Sequence, residues 1–138
     1  ILDKVLKTFV KTKADRDLAE TQPYVELINK EYVQLQSLSN DDLRQKTQVV
    51  RAEILNSYKN IEQEIADLTS QVENSEVTIA ERETIYEKIE KLQEKVNETI
   101  EKSLDEHLPI VFAIMKETAR RFKENETIEV TANDFDKQ

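Results

Sequence analysis

Between Asp41 and Leu108 the chain contains neither glycine nor proline, and it repeats apolar residues three and four apart. Ile54, Tyr58, Ile61, Ile65, Leu68 and Val72 form one seam, and Ile85, Ile89, Leu92, Val96 and Ile100 a second. Steps of four and three average about 3.5 residues, the repeat of helices that pair lengthwise. Charged and amide side chains fill the positions between. An unbroken helix over residues 48–104 would be roughly 85 Å long. The seam does not stay in register that far: a strict count from Val72 lands on Ser75, Arg82 and Gln93. Asn74-Ser75 suits a stop. Thr78 and Glu81 have the spacing of a capping box, in which each side chain takes up the other residue's free backbone N–H. The pattern therefore predicts two antiparallel helices with a turn near 74–78.

Glycine is absent from all 138 residues. A glycine-rich phosphate-cradling loop and a dinucleotide fingerprint are thereby excluded from this chain. Cysteine is also absent, which removes disulfides and thiolate metal sites and fits a reducing compartment. The net charge of −9 argues against nucleic acid as a partner, because phosphate neutralisation needs a basic face. No apolar run is long enough to span a membrane and no signal-peptide pattern is present. Residues 62–106 carry fourteen acidic side chains against five basic ones. The plain reading is a solvated outer face, helped by Glu87–Lys91 and Glu98–Lys102 pairs.

The beginning is different. Ile1, Leu2, Val5, Leu6 and Phe9 recur at helical spacing, with Lys4, Lys7 and Lys11 between them and Lys13 just beyond. Such a basic amphipathic helix can lay Leu2, Val5, Leu6 and Phe9 into an anionic membrane surface while Lys4, Lys7, Lys11 and Lys13 meet headgroup phosphates. It can equally pack on its own domain. Residues 13–37 continue as helix through Leu18, Val25, Ile28, Tyr32 and Leu35, with a kink or restart expected at Pro23. Ser39 reads as the N-cap of the next helix, with Asp42 three residues on and Leu38 and Leu43 as a hydrophobic staple. Pro109 suits the first turn of a separate return helix. In that helix Ile110, Phe112, Ala113, Ile114, Met115 and Ala119 are expected to bury a face, and Arg120, Arg121 and Lys123 to favour its C-terminal end. Thr127–Thr131 alternates and allows one short strand; the tail from Ala132 is expected to fray.

The fold class is thus all-α. Its parts are an amphipathic helix at 1–12, a helical segment at 13–47, an antiparallel hairpin at 48–106, a return helix at 107–124, and a strand or frayed tail at 125–138. Catalytic, cofactor and metal sites are not expected. His107 is the single histidine, so zinc and di-iron carboxylate sites lack ligands, and its sequence neighbours Ser103 and Asp105 do not make a triad.

Three stretches resemble a known family. They are Arg16–Asn29 with Gln22-Pro23 and Ile28-Asn29, then Leu38-Ser39-Asn40-Asp41-Asp42-Leu43-Arg44-Gln45-Lys46-Thr47 with Arg51, then Leu108–Arg121. Together they are similar to the extreme N-terminus of the SecA family of preprotein-translocation motor ATPases, where the last two read LSDEELRAKT and LLPEAFAVVREAAKR. Asn40-Asp41 and Ile110-Val111 depart from those patterns. The family joins the last two stretches by a short glycine-containing loop. Here roughly fifty residues of heptad helix intervene, which favours a hairpin, since only an out-and-back pair returns to its origin. The resemblance covers about 1–51 and 104–123. It implies a larger parent that uses ATP with Mg to drive preproteins through the SecYEG channel, at the cytoplasmic face of the inner membrane. The nucleotide-binding motifs of the family follow this region, so no cofactor is expected in this piece and it is not expected to be an enzyme by itself. The resemblance strengthens the lipid- and translocon-docking reading of residues 2–13. The competing reading is a structural coiled-coil adaptor whose arms pair with another chain, and a homodimer fits either. Replacing Ser39 by Ala should lower stability by about 1 kcal/mol through loss of the cap, read as a fall in the urea midpoint.

Overall fold

The computed structural model describes residues 12–73 and 77–138. Three helices follow one another: α1 Lys13–Leu35, α2 Asn40–Glu73 and α3 Ile79–Glu124. The chain divides into two compact units, one of residues 41–108 and the other of residues 1–40 with 109–138.

In the first unit α2 and the N-terminal part of α3 form the expected hairpin. Glu64 pairs with Lys88 at 2.8 Å, and Glu53 faces His107 at 3.2 Å. Moving forward along α2 moves backward along α3, so the two are antiparallel. Every residue of both seams is buried or half-buried. Leu68, Val72 and Ile89 are the most enclosed of them. The register runs further than apolar residues alone indicate. Buried Leu43 and Val50 extend the first seam; half-buried Arg82, buried Ser103 and half-buried His107 extend the second. Two helices can cover only one stripe of each other, so most seam side chains keep some contact with water, and each contributes about 1 kcal/mol rather than the full burial value. Threonine hydroxyls bond back to their own helix: Thr69 to the Ile65 carbonyl at 2.8 Å, Thr84 to Ala80 at 3.1 Å and Thr99 to Lys95 at 2.7 Å.

The cap that opens α3 is the one read from the sequence. The Glu81 carboxylate accepts from the Thr78 backbone N–H at 2.9 Å and from its hydroxyl at 2.6 Å, and Thr78 Oγ1 accepts from the Glu81 N–H at 3.4 Å. These bonds hold the Glu81 carboxyl below its ordinary value. The predicted turn overlaps residues 74–76, which lie outside the described residues. A second capping box, at Thr12 and Asp15, opens α1. It has the same three-residue spacing with Asp in place of Glu.

In the second unit α1 lies along the C-terminal part of α3. Lys116 Nζ donates to Asn29 Oδ1 at 2.9 Å and sits 4.2 Å above the Tyr32 ring. Arg121 reaches the carbonyl of Leu35. Both partners advance together, so α1 and this part of α3 are parallel. Leu35, Ala113 and Ile114 form the apolar centre.

Several expectations are corrected. Helix α1 does not restart at Pro23 but runs through it. The residues around Pro23 are exposed, so water can serve the carbonyl that loses its partner. Pro109 does not open a new helix either; it lies inside α3. The register 103, 107, 110, 114, 117, 121 keeps three-four spacing straight across it, and packing outweighs one missing donor. Phe112, Met115 and Ala119 are exposed rather than buried. No strand occurs among the described residues; Thr127–Thr131 has no partner ladder to complete. Residue 129 is tied, and a local turn follows in the exposed tail. Asn40 Nδ2 donates to the Glu129 carbonyl at 2.9 Å, and Asn133 Oδ1 accepts from the N–H groups of Phe135 and Asp136 at 3.0 and 3.1 Å. Replacing Thr78 by Ala should cost about 1 kcal/mol by removing the hydroxyl arm of the α3 cap, while the bond from the backbone N–H of residue 78 to Glu81 survives, measured as a lower urea midpoint.

Candidate functional site

The residues proposed to dock on a membrane, Leu2, Lys4, Val5, Leu6, Lys7, Phe9 and Lys11, lie outside the described residues. Lys13 is the first residue of α1 and is exposed. The structure's own polar centre is elsewhere, on the connection between α1 and α2.

Helix α1 ends at Leu35, and its last carbonyls need partners. Glycine in a left-handed conformation commonly closes such an end. This chain has no glycine, and no described residue has a positive φ. Gln36 remains right-handed, with φ −62° and ψ −29°, and the last turn of α1 holds no basic residue. Arg121 of α3 supplies what is missing. Its Nη2 donates to the carbonyls of Leu35 at 3.3 Å and Leu38 at 2.7 Å. Its Nη1 donates to Asn40 Oδ1 at 2.7 Å, at the first residue of α2. One guanidinium thus caps one helix, holds the start of the next, and places a positive charge at the negative end of α1.

Arg121 is itself held by Glu117, a fully buried carboxylate. Arg121 Nε donates to Glu117 Oε1 at 2.8 Å. Arg120 donates twice, from Nη2 to Oε1 at 2.7 Å and from Nε to Oε2 at 2.9 Å. It also pairs with Glu124. The Arg120 hydrogen bonds, joined by those of Arg121, hold the Glu117 carboxyl down to about 2 against the opposing effect of burial. The same contact pushes the Arg120 guanidinium up. Helix α3 then closes on Asn125, whose side chain and backbone N–H both donate to the Arg121 carbonyl. Arg121 lies in the last turn of α3, as expected from sequence, and its guanidinium also serves the end of α1.

This arrangement orders backbone; it does not do proton chemistry. Glu117 is ionised, out of contact with water, and committed to two guanidinium groups. His107 sits in the hairpin, its Nδ1 2.7 Å from the Ser103 carbonyl and its Nε2 3.2 Å from Glu53. A carbonyl can only accept, so Nδ1 carries a proton. No serine hydroxyl is held against the ring in these contacts. Among the described residues no group of three or more His, Cys, Asp or Glu side chains is placed to hold a metal ion. None of the helices there is long and apolar enough to cross a membrane. Reading from sequence missed Glu117 altogether. The available signal was its spacing, three and seven residues after the apolar Ile114 and Ile110.

No protein-family model matches the chain, and no solved structure does. Curated proteins match it along nearly its whole length. One from Bacteroides fragilis is 39% identical over 136 residues, covering 99% of this chain. One from Amoebophilus asiaticus is 44% identical with 97% covered, and one from Phocaeicola vulgatus 43% identical with 91% covered. The chain spans only 11–12% of the length of these relatives. It is a segment of a much longer protein-translocase subunit. That subunit is SecA, the name all three relatives carry, and the chain belongs to that family as a piece of it. The similarity is not confined to the two ends: an alignment of this extent crosses residues 41–108 as well.

Glu117→Gln should destabilise the chain by about 3 kcal/mol, because it leaves two guanidinium groups without their counter-charge. The carboxyl is depressed from an ordinary 4.5 to about 2. Its contribution is therefore complete above about 4.5 and lost as pH falls towards 2. Urea midpoints of the two proteins should converge across that window and stay apart above it. Arg121→Lys keeps the charge but not the fork, and should cost about 2 kcal/mol.

Proposed function

We propose that this chain is the N-terminal docking and scaffold segment of a SecA translocase. The parent couples hydrolysis of ATP, bound with Mg outside this segment, to movement of preproteins through the SecYEG channel at the cytoplasmic face of the inner membrane. The observation that carries the reading is the match of nearly the whole chain to SecA proteins from several organisms. Within the parent, Leu2, Val5, Leu6 and Phe9 enter the lipid, while Lys4, Lys7, Lys11 and Lys13 meet anionic headgroups and the translocon. The alternation of lysine with apolar residues at helical spacing supports this role. The clamp on Glu117 and Arg121 and the paired arms of the hairpin supply its stiff support. The coiled-coil adaptor reading is weaker, because the two seams already face each other within the chain.

Vesicle co-sedimentation tests the docking role. The chain should bind vesicles rich in anionic lipid and leave neutral ones in the supernatant, with binding falling as salt rises. Lys4→Glu with Lys7→Glu should abolish it. Equal binding to both kinds of vesicle would overturn the reading.

A further inference from the structure

The outer half of the N-terminal part of α3 is sorted into three lanes. Glu83, Glu87, Glu90, Glu94, Glu98, Glu101 and Asp105 follow one another three and four residues apart, and all are exposed. That spacing puts them on one stripe, opposite the seam of Ile85, Ile89, Leu92 and Val96, over roughly 33 Å of helix. Lys88, Lys91, Lys95 and Lys102 lie together on one flank of the stripe, and Lys88 reaches across to Glu64 of α2. Ile79, Tyr86 and Leu104 lie on the other flank and are 79%, 59% and 51% exposed. None of the seven carboxylates pairs with a cation among the described residues. The Glu87–Lys91 and Glu98–Lys102 pairs expected from spacing are not formed; Lys102 is 3.8 Å from Glu106 instead. Residues 41–108 carry seventeen carboxylates against nine lysines and arginines, eight of the chain's nine net negative charges. Like charges at such spacings repel and weaken a helix. The hairpin packs through the opposite side of α3, so its own pairing makes no use of this face.

We propose that this face binds a partner protein through a lysine- and arginine-rich amphipathic helix laid along it. The match is of two kinds. Cationic side chains at helical spacing complement the stripe along its length. The apolar side of the same helix meets Ile79, Tyr86 and Leu104, which otherwise present ring and methyl groups to water. A purely ionic ligand would use the carboxylates and leave that flank bare. Anionic lipid and nucleic acid are repelled by the stripe. Two copies of the face repel each other as well. Among the described residues no three carboxylates are placed to hold a metal ion. The inference rests on the hairpin alone, not on membrane docking by residues 2–13 or on the activity of the parent.

Binding of a synthetic helix to the full-length translocase tests the proposal. The probe is a fluorescent peptide with leucines three and four apart and lysines elsewhere, followed by anisotropy at about 0.1 M salt. Glu83→Gln, Glu87→Gln, Glu90→Gln and Glu94→Gln together should weaken its binding by about tenfold or more. Glutamine keeps the helix propensity of glutamate at these exposed positions, so the fold is retained. Four neutralisations elsewhere on the segment (Asp17→Asn, Glu20→Gln, Glu26→Gln and Glu126→Gln) should leave binding unchanged. Ile79→Ser with Tyr86→Ser should weaken it by about fivefold through loss of the apolar lane. An oligolysine of equal charge should bind more weakly than the amphipathic probe. Absence of binding, or an equal loss in the two neutralised proteins, would overturn the proposal. Oligolysine binding as tightly as the amphipathic helix would reduce the face to a general polycation trap and overturn it too. Self-association of the translocase that the four stripe substitutions abolish would assign the face to a second copy and overturn it as well. Vesicle binding by residues 2–13 can fail without altering any of these outcomes.

Discussion

A helix that ends without glycine must find another way to satisfy its last carbonyls. In this chain the solution is Arg121. The guanidinium is presented from α3, far along the sequence from the carbonyls it serves, and is aligned by a buried carboxylate one turn earlier. Arg120 completes the charge balance from the more exposed side. The connection from α1 to α2 is therefore defined by a distant side chain, not by its own loop residues. This is why Ser37 and Leu38 can follow Leu35 with ordinary right-handed or extended backbone. Buried ion pairs are often neutral in net stability because both charges give up water. This one has a second role, which is to fix where two helices stop and start.

The hairpin was legible from sequence almost residue by residue. Both seams, the Thr78–Glu81 cap and the antiparallel return follow from periodicity and one spacing rule, because local patterns decide how two long helices pair. What was not legible depends on contacts distant in sequence. Glu117 and Arg121 occupy the same register as Ile110 and Ile114, yet their polarity marks them as surface. Only the carbonyls at the end of α1 explain why a carboxylate and a guanidinium belong inside. Phe112 and Met115 failed in the opposite sense. Hydropathy marks them as core, but among the described residues α1 packs on the other side of α3 and leaves them exposed. Pro23 was read as a kink or restart and Pro109 as the first turn of a new helix, because a missing donor is a local cost; both helices run through, at Pro23 with access to water.

The glycine-free composition links these observations. With no glycine to take up left-handed backbone, helix ends are closed by side chains: Thr12 with Asp15, Thr78 with Glu81, Asn125 on the Arg121 carbonyl, and Arg121 on α1. Each closure is a polar contact between identified atoms. The segment's architecture is thus carried by a few specific hydrogen bonds as much as by its modest apolar interior.

The antiparallel arms have one further consequence. Residues near the base, such as Glu53 and His107, face each other whatever happens beyond them. Removing or adding a matched heptad on both arms would preserve the phase of each seam and leave that facing pair untouched. Arm length is therefore free to drift in steps of whole repeats during evolution, whereas an unmatched change in one arm would slide every seam contact out of phase.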